Sequence, residues 1–410
     1  MKRMGIPGAA ALVVPLALAL VGSAAPPVSA AAPEPLPAEF TPGERYFGSE
    51  GYVEYLAGNL PVIFAAPHGG HLRPSTIPER TEQRCGVTPT TVNDLNTQEL
   101  AREIQREFFA ETGKYPHVVI NRLHRTRLDA NRAIDEAACG SARAERAWTD
   151  FHAFIGAAGD QVRQDYDKGW FTDLHGHGHD VQRLELGYLL TGEQLRRPDA
   201  ELDAGSFETG TSIRSFSEES PRSFSGLLRG PTALGTLFAD AGYPATPSEP
   251  DPAPAASEPF FSGGYNTRRH GCVDGGPICG VQIEHNRLGV RENDQQVADY
   301  AEALYEVYDT YLRTNFGILV QSSERGVDTL RSAVDGLVRA GALARGHGTG
   351  LGATLDTAQA QLARNRPSAE RTLAAFRTQV EALIRSGALE SGPGEQVSTL
   401  AKRVLQTMRA

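Results

Sequence analysis

The chain has 410 residues, with 40 Lys and Arg against 50 Asp and Glu, and a formal net charge of −10. Without Lys2 and Arg3, which fall in a predicted export signal, 38 basic residues face 50 acidic ones, a net charge of −12. Such an acidic chain argues against nucleic acid or an anionic membrane surface as a partner.

Residues 1–30 predict a cleaved signal peptide. Lys2 and Arg3 precede an uncharged apolar stretch, and Val28-Ser29-Ala30 is a small-x-small cleavage signal. We therefore expect cleavage near Ala30 and a secreted, extracellular protein. No later stretch is long and apolar enough to span a membrane, so we expect no stable membrane insertion.

The four cysteines predict disulfide bonds, because an even count in an exported chain favours disulfides over free thiols. The local pairing, Cys85 with Cys139 and Cys272 with Cys279, is our expectation. Two other connectivities stay open.

Composition divides the rest of the chain. Residues 31–44 are Pro-rich and are predicted to be disordered. Residues 45–319 alternate short apolar runs with helical stretches, which indicates an α/β catalytic domain. Within it, residues 243–259 hold six prolines and predict a surface insertion or a flexible loop.

The first chemistry-bearing residue is His68. It follows the predicted strand Val62–Ala66 and precedes Gly69 and Gly70, which let backbone approach a ligand closely. A single His at a strand end is equally compatible with a metal ligand and with a structural residue. A helix from about Asn96 to Phe109 and a strand over Val118–Ile120 follow.

His175 ends the predicted strand Phe171–Leu174 and opens a His-Gly-His-Gly-His run. Alternate residues of an extended segment share a face, so His175, His177 and His179 can point together. Asp173 can orient an imidazole as a supporting carboxylate. The alternatives are a solvated His-rich loop or adventitious metal binding.

A hydrolytic zinc site takes three protein ligands and keeps one open position. With His68 and His175 as two ligands, Glu79 is our choice for the third, and Asp94 and His71 are its rivals. The alternative for Glu79 is a surface ion pair with Arg80.

Glu284 ends the predicted strand Val281–Glu284, where a carboxylate can act as general base on a water molecule. A buried salt bridge with an arginine is the alternative. Tyr265, in a glycine-containing stretch before this strand, either faces the substrate or belongs to the return from the Pro-rich insertion.

Arginines cluster after the strand Val118–Ile120. Arginine can stabilise an oxyanion or bind a carboxylate with two hydrogen bonds, although a solvated loop would account for at least two of them. The cluster comprises Arg122, Arg125, Arg127 and Arg132.

Residues 322–410 predict a small all-α domain. Leu330, Val334 and Leu337 recur 46 positions later as Phe376, Val380 and Leu383, at helical spacing. No cluster of reactive side chains lies there, so we interpret this domain as a stability or interaction module with an unknown partner.

The ordered set of motifs resembles the N-formylglutamate amidohydrolase-like proteins of the zinc carboxypeptidase superfamily. The matching pieces span residues 60–310: Pro67-His68-Gly69-Gly70, Asp129 to Arg132, Asp173-Leu174-His175, and Gln282-Ile283-Glu284 with Asn286-Arg287. The C-terminal repeat resembles a small helical module at the ends of secreted bacterial proteins.

The resemblance implies a mixed β-sheet flanked by helices and one Zn²⁺ held by His68, His175 and a carboxylate. It implies that Glu284 is the general base, that Arg122 or Arg127 polarises the scissile carbonyl, and that Asn131 and Arg132 bind a substrate carboxylate. The chain departs from the superfamily by having His71 where a ligating Glu is usual.

Taken together, the sequence predicts a secreted, zinc-dependent hydrolase of amide bonds. We expect a small-molecule or peptide amide, including cell-wall material, as substrate. The alternatives are a secreted binding protein without catalysis on the same fold, and an extracellular metal-binding protein.

Overall fold

One eight-stranded mixed sheet organises the described part of the chain. The strands are β1 (Arg45–Phe47), β2 (Val53–Leu56), β3 (Val62–Ala66), β4 (His117–Asn121), β5 (Gly169–Gly176), β6 (Leu184–Gly187), β7 (Ala245–Thr246) and β8 (Ile278–His285). Their order across the sheet is β1-β2-β4-β3-β5-β8-β6-β7. The central strands β4, β3, β5 and β8 are parallel, and antiparallel pairs flank them.

The computed structural model describes residues 1, 37 and 39–409. The predicted signal peptide lies outside the described residues except for Met1. Of the Pro-rich segment 31–44, the part from Glu39 onward belongs to the fold: the ring of Phe40 packs edge-on against Tyr55, and Gly43 N donates to Ala57 O.

Fifteen α-helices accompany the sheet in the described residues. They are α1 (Glu82–Cys85), α2 (Thr97–Thr112), α3 (Ile134–Ala138), α4 (Ala142–Asp165), α5 (Gly192–Leu195), α6 (Asp199–Leu202), α7 (Arg214–Glu219), α8 (Phe224–Arg229), α9 (Leu234–Asp240), α10 (Tyr265–His270), α11 (Asp294–Phe316), α12 (Ser323–Arg339), α13 (Arg345–Leu362), α14 (Arg366–Arg385) and α15 (Ser391–Arg409). Helices and a mixed sheet confirm the predicted α/β class. None of the described helices has the length and apolar character of a membrane span.

Strand β3 shows why the sheet carries helices on both faces. Alternate residues of a strand point to opposite faces. Val62 and Phe64 pack into the hydrophobic core that holds α2, α9 and α11, whereas Ile63 and Ala65 pack into the core that holds α3 and α4. Each such large side chain contributes roughly 1.5–3 kcal/mol when fully buried. A strand buried on both faces therefore leaves only its end free for chemistry.

Helices α12 to α15 have a hydrophobic core of their own. Leu330 and Val334 of α12 and Phe376 and Val380 of α14 are buried together, at positions that correspond in the sequence repeat. The repeat is thus visible as two helix pairs that bury equivalent residues.

Both disulfides form as the local pairing predicts, Cys85 with Cys139 and Cys272 with Cys279. The Pro-rich segment 243–259 is held to the fold by Arg183, whose guanidinium pairs with Asp251 and Glu258, each at 2.8 Å.

Candidate metal centre

The carboxyl ends of three parallel strands bring the candidate residues together. His68 follows β3, His175 lies near the end of β5, and Glu284 lies near the end of β8. His175 and Glu284 are direct neighbours in the β5–β8 register. Ligands in open α/β sheets bind at this edge, because parallel strands all end there.

Three buried ligand atoms form a small triangle at this edge. His68 Nδ1 lies 3.1 Å from His175 Nδ1 and 3.3 Å from Asp94 Oδ2, and His175 Nδ1 lies 3.2 Å from the same Asp94 oxygen. A metal ion bonded at zinc distances holds its ligand atoms about 3.3–3.5 Å apart in a tetrahedral arrangement. The triangle therefore has nearly the size that such an ion requires.

Hydrogen bonds on the far side of each imidazole set its tautomer. His68 Nε2 lies 2.6 Å from Asp129 Oδ1, and His175 Nε2 lies 2.7 Å from Asp173 Oδ2. Contacts this short to a carboxylate require a proton on Nε2. Each Nδ1 is then free to present a lone pair, which faces the other Nδ1 and the Asp94 carboxylate. Burying three hydrogen-bond acceptors together is unfavourable unless a cation or a proton lies between them. Metal-binding histidines commonly donate their other N–H to a carboxylate, as both imidazoles do here.

Supporting contacts hold the carboxylates in place. Arg125 donates from Nε to Asp129 Oδ2 at 2.9 Å and from Nη1 to Asp94 Oδ1 at 3.4 Å. Burial would raise the pKa of Asp129, but His68 and Arg125 outweigh it and hold that pKa well below 3.8. Burial likewise opposes ionisation of Asp94, whose pKa the neighbouring imidazoles lower. Both carboxylates are therefore anionic at neutral pH.

Close backbone approach explains the two glycines after His68. A Cβ on Gly69 would lie 2.4 Å from Thr97 Oγ1, and a Cβ on Gly70 would lie 2.2 Å from the carbonyl carbon of Arg122. Without side chains, this loop passes between the start of α2 and the loop after β4. Asp94 N then donates to His68 O at 3.1 Å, which places the Asp94 carboxylate beside the imidazole.

Glu284 is buried beside the triangle. Its Oε1 lies 3.9 Å from His175 Nδ1 and accepts a hydrogen bond of 3.0 Å from Gln282 Nε2. Burial raises the pKa of Glu284 to about 8; His175 opposes this shift, and Asp94 and Glu185 add to it. The Glu284 carboxyl is therefore mostly protonated at neutral pH when no cation lies beside it.

The structure does not bring Glu79 to the triangle, and Asp94 occupies the third position. The Glu79 side chain is 57% exposed, and its Oε1 lies 3.4 Å from Arg127 Nη2. His71 is exposed too and pairs with Glu99. The loop after His68 places His71 and Glu79 at the surface. The chain then comes back to His68 at Asp94, just before α2.

The guanidinium groups of Arg122, Arg127 and Arg132 bind other parts of the chain. Arg122 donates to Gly51 O at 2.7 Å, Arg127 donates to Ile77 O at 2.7 Å, and Arg132 pairs with Glu136 at 3.1 Å. Each guanidinium therefore supports a loop in this conformation.

Asn131 and Tyr265, the other predicted substrate-binding residues, both bind groups of the chain itself. Asn131 N donates to Asp129 Oδ1 at 3.1 Å, and Asn131 Oδ1 accepts from Asn266 N at 2.8 Å, so Asn131 binds neighbours of the two imidazoles and not a substrate group. The Tyr265 hydroxyl accepts from Arg269 at 2.9 Å, and its ring meets His152 edge-on.

Sequence reasoning gave no role to Asn266, named Asp129 only as part of a motif, and named Arg125 only as a member of the arginine cluster. Asn266 Nδ2 donates to Asp173 Oδ1 at 3.1 Å and so fixes the carboxylate that orients His175. The signal for Asp129 and Arg125 was their spacing in one loop after β4, where residues four apart form an ion pair. Nothing in the local sequence of Asn266 indicates its contact.

His177, His179 and Glu185 form a second group of potential metal ligands among the described residues. His179 Nδ1 lies 2.7 Å from Glu185 Oε1. His177 donates from Nε2 to Arg183 O and accepts at Nδ1 from the backbone N–H of His179, so its ring has no lone pair left for a metal. The first triangle is therefore the better metal centre.

Comparisons with known proteins place few constraints on the chain. No family model matches it, and no curated protein matches it. Among solved structures, an N-formylglutamate amidohydrolase from Ralstonia eutropha JMP134 is similar at a TM-score of 0.38 and 12% identity, covering 64% of this chain and 95% of that one. A likeness this distant carries no argument about function, which has to come from the geometry of the site.

The ligand set predicts how two carboxylate substitutions differ. Asp94→Asn should weaken zinc affinity by more than about 100-fold, because losing a ligand costs more than losing a supporting partner. Glu79→Gln, the matched control, should leave affinity unchanged. Chelator competition on the purified proteins measures both, and loss of zinc by Glu79→Gln with retention by Asp94→Asn would contradict the assignment.

The triangle also predicts an unusual pH dependence of metal affinity. Burial would lower the pKa of His175, but Asp173 and then Asp94 raise it well above 6.5. Metal must displace the proton on Nδ1, so affinity should rise about tenfold per pH unit and should keep rising above pH 6.5.

Calorimetric titrations with zinc from about pH 6 to pH 8 test this dependence. Asp173→Asn removes the main cause of the raised pKa, so its affinity should level off at a lower pH. A wild-type affinity that is constant above pH 6.5 would refute the assignment of the proton to Nδ1.

Proposed function

We propose that this protein is an exported, zinc-dependent hydrolase of amide bonds, related to the N-formylglutamate amidohydrolase-like group. The triangle of His68 Nδ1, Asp94 Oδ2 and His175 Nδ1 is the observation that supports a metal. Two nitrogen ligands and one oxygen ligand suit a catalytic zinc ion, which takes three protein ligands and keeps a fourth position open for water or substrate. The two disulfides support the proposed export, because disulfides persist in oxidising compartments.

In the proposed mechanism, His68, Asp94 and His175 would hold the zinc ion. When bound, the ion acidifies water and polarises the substrate carbonyl. The carboxylates of Asp129 and Asp173 keep both imidazoles oriented with Nδ1 inward throughout turnover.

Glu284 moves the proton. As water attacks the amide carbon, one carboxylate oxygen of Glu284 accepts a proton from that water. The carbon–nitrogen bond then breaks, and Glu284 returns the proton to the leaving nitrogen, so that a carboxylic acid and an amine are released. Burial raises the pKa of Glu284 to about 8 in the metal-free site, and a cation bound beside it would lower that pKa and favour the carboxylate that this role requires.

Glu284→Gln tests this role, since glutamine keeps the size of the side chain but cannot accept the proton. The variant should bind about one zinc per chain and lose roughly 10²–10⁴-fold in kcat. Amine release from a panel of N-formyl amino acids measures turnover, and Glu292→Gln, which changes an exposed carboxylate in the next turn, is the control. Full activity of Glu284→Gln would refute the mechanism.

A further inference from the structure

Three segments bordering the metal centre are joined by one buried arginine. Arg291 donates to Leu95 O at 2.6 Å, to His177 O at 2.8 Å and to His285 O at 3.0 Å. These carbonyls lie next to or near Asp94, His175 and Glu284 in the chain. The segments therefore form one continuous rim beside the proposed catalytic residues.

This rim exposes large apolar side chains. Leu95, directly after Asp94, is 48% exposed, and Leu288, in the turn after Glu284, is 53% exposed. Exposed apolar side chains on segments that border one site can together form a surface that binds an apolar group. Val92 and Val181, on the same segments, are exposed as well.

Phe261 extends the rim by stacking on His179. Its ring is 45% exposed and stacks on the imidazole of His179, with 4.8 Å between ring centroids. Its backbone N donates to Glu185 Oε2 at 2.8 Å, while Glu185 Oε1 binds His179. Glu185 is the strand neighbour of Glu284, so one buried carboxylate fixes an exposed aromatic ring next to the proposed general base.

The four arginines of the cluster after β4 already bind other parts of the chain. Arg122, Arg127 and Arg132 support loops, as described above, and Arg125 binds Asp129 and Asp94. Arg287, beside Leu288, is exposed and is the arginine of this turn that faces solvent. The rim thus offers apolar area more readily than it offers a paired site for a second carboxylate.

We propose that the substrate carries an apolar side chain next to the scissile amide, and that Leu95, Leu288 and Phe261 bind it. This inference rests on the proposed function. Glu185 and His179 act as positioning residues, because they hold Phe261 in place without touching the substrate.

Binding and turnover of three probes test the substrate class separately. The probes are N-formyl-L-phenylalanine, N-formyl-L-leucine and N-formyl-L-glutamate. Calorimetry with zinc-loaded Glu284→Gln protein should give affinities for the two apolar probes about 10- to 100-fold above that for the acidic one, since burying a Leu or Phe side chain has that effect. Equal affinities, or tighter binding of the acidic probe that disappears in Arg287→Gln, would overturn the inference.

Turnover by the wild-type protein distinguishes failure of the proposed hydrolase function from failure of the proposed apolar substrate. Hydrolysis of the acidic probe in preference to the others supports the proposed function and overturns the apolar substrate. Tight apolar binding without hydrolysis of any probe contradicts the proposed function and leaves the rim assignment supported.

Phe261→Ala supplies the specific variant. It should reduce the ratio of kcat/KM for the phenylalanine and glutamate probes about tenfold. Phe109→Ala, which removes a ring of similar exposure from the outer face of α2, is the matched control and should leave that ratio unchanged. The same loss of ratio in both variants, or in neither, would contradict the role of Phe261.

Discussion

The convergence of three lone pairs on one buried point is the constraint on which this site depends. His68 and His175 each donate a hydrogen bond from Nε2 to a carboxylate, which directs both Nδ1 atoms toward Asp94. Burying such acceptors together is unfavourable unless something positive joins them. A proton on His175 can serve this purpose in the metal-free protein, and zinc serves it in the proposed enzyme. Metal and proton therefore compete for one place.

The fold supplies the rigidity that this arrangement needs. Parallel pairing of β3, β5 and β8 sets the spacing of the strand ends. Arg125 joins Asp129 to Asp94, so one guanidinium holds both the carboxylate that orients His68 and the proposed third ligand. The disulfide between Cys85 and Cys139 closes the segment that contains Asp94, Arg125 and Asp129. By loop-closure entropy, a disulfide that closes a loop of this length stabilises the folded state by about 4 kcal/mol.

The sequence predicted those residues of the candidate site that lie at or just after strand ends. His68, His175 and Glu284 were found because each ends an apolar run, and parallel strands end at one edge of the sheet. The third ligand depended on how two loops fold, which short-range patterns do not encode. Glu79 follows His68 closely in sequence but points to solvent, whereas Asp94 returns through hydrogen bonds with distant backbone.

Long-range contacts explain the other differences. Asn266 donates a hydrogen bond to Asp173, which lies 93 positions away in the sequence. The arginines after β4 bind carbonyl and carboxylate groups that no local sequence pattern identifies. The repeat in the C-terminal helices was visible in the sequence because helical burial recurs at a fixed spacing. Its hydrophobic core follows from local periodicity, which is the kind of information that sequence carries best.

The most direct test is a crystal structure of the zinc-loaded protein with anomalous diffraction at the zinc edge. We expect one strong peak about 2.0–2.2 Å from His68 Nδ1, His175 Nδ1 and a carboxylate oxygen of Asp94. A peak bound through the Nε2 atoms, or located at His177, His179 and Glu185 instead, would contradict this expectation.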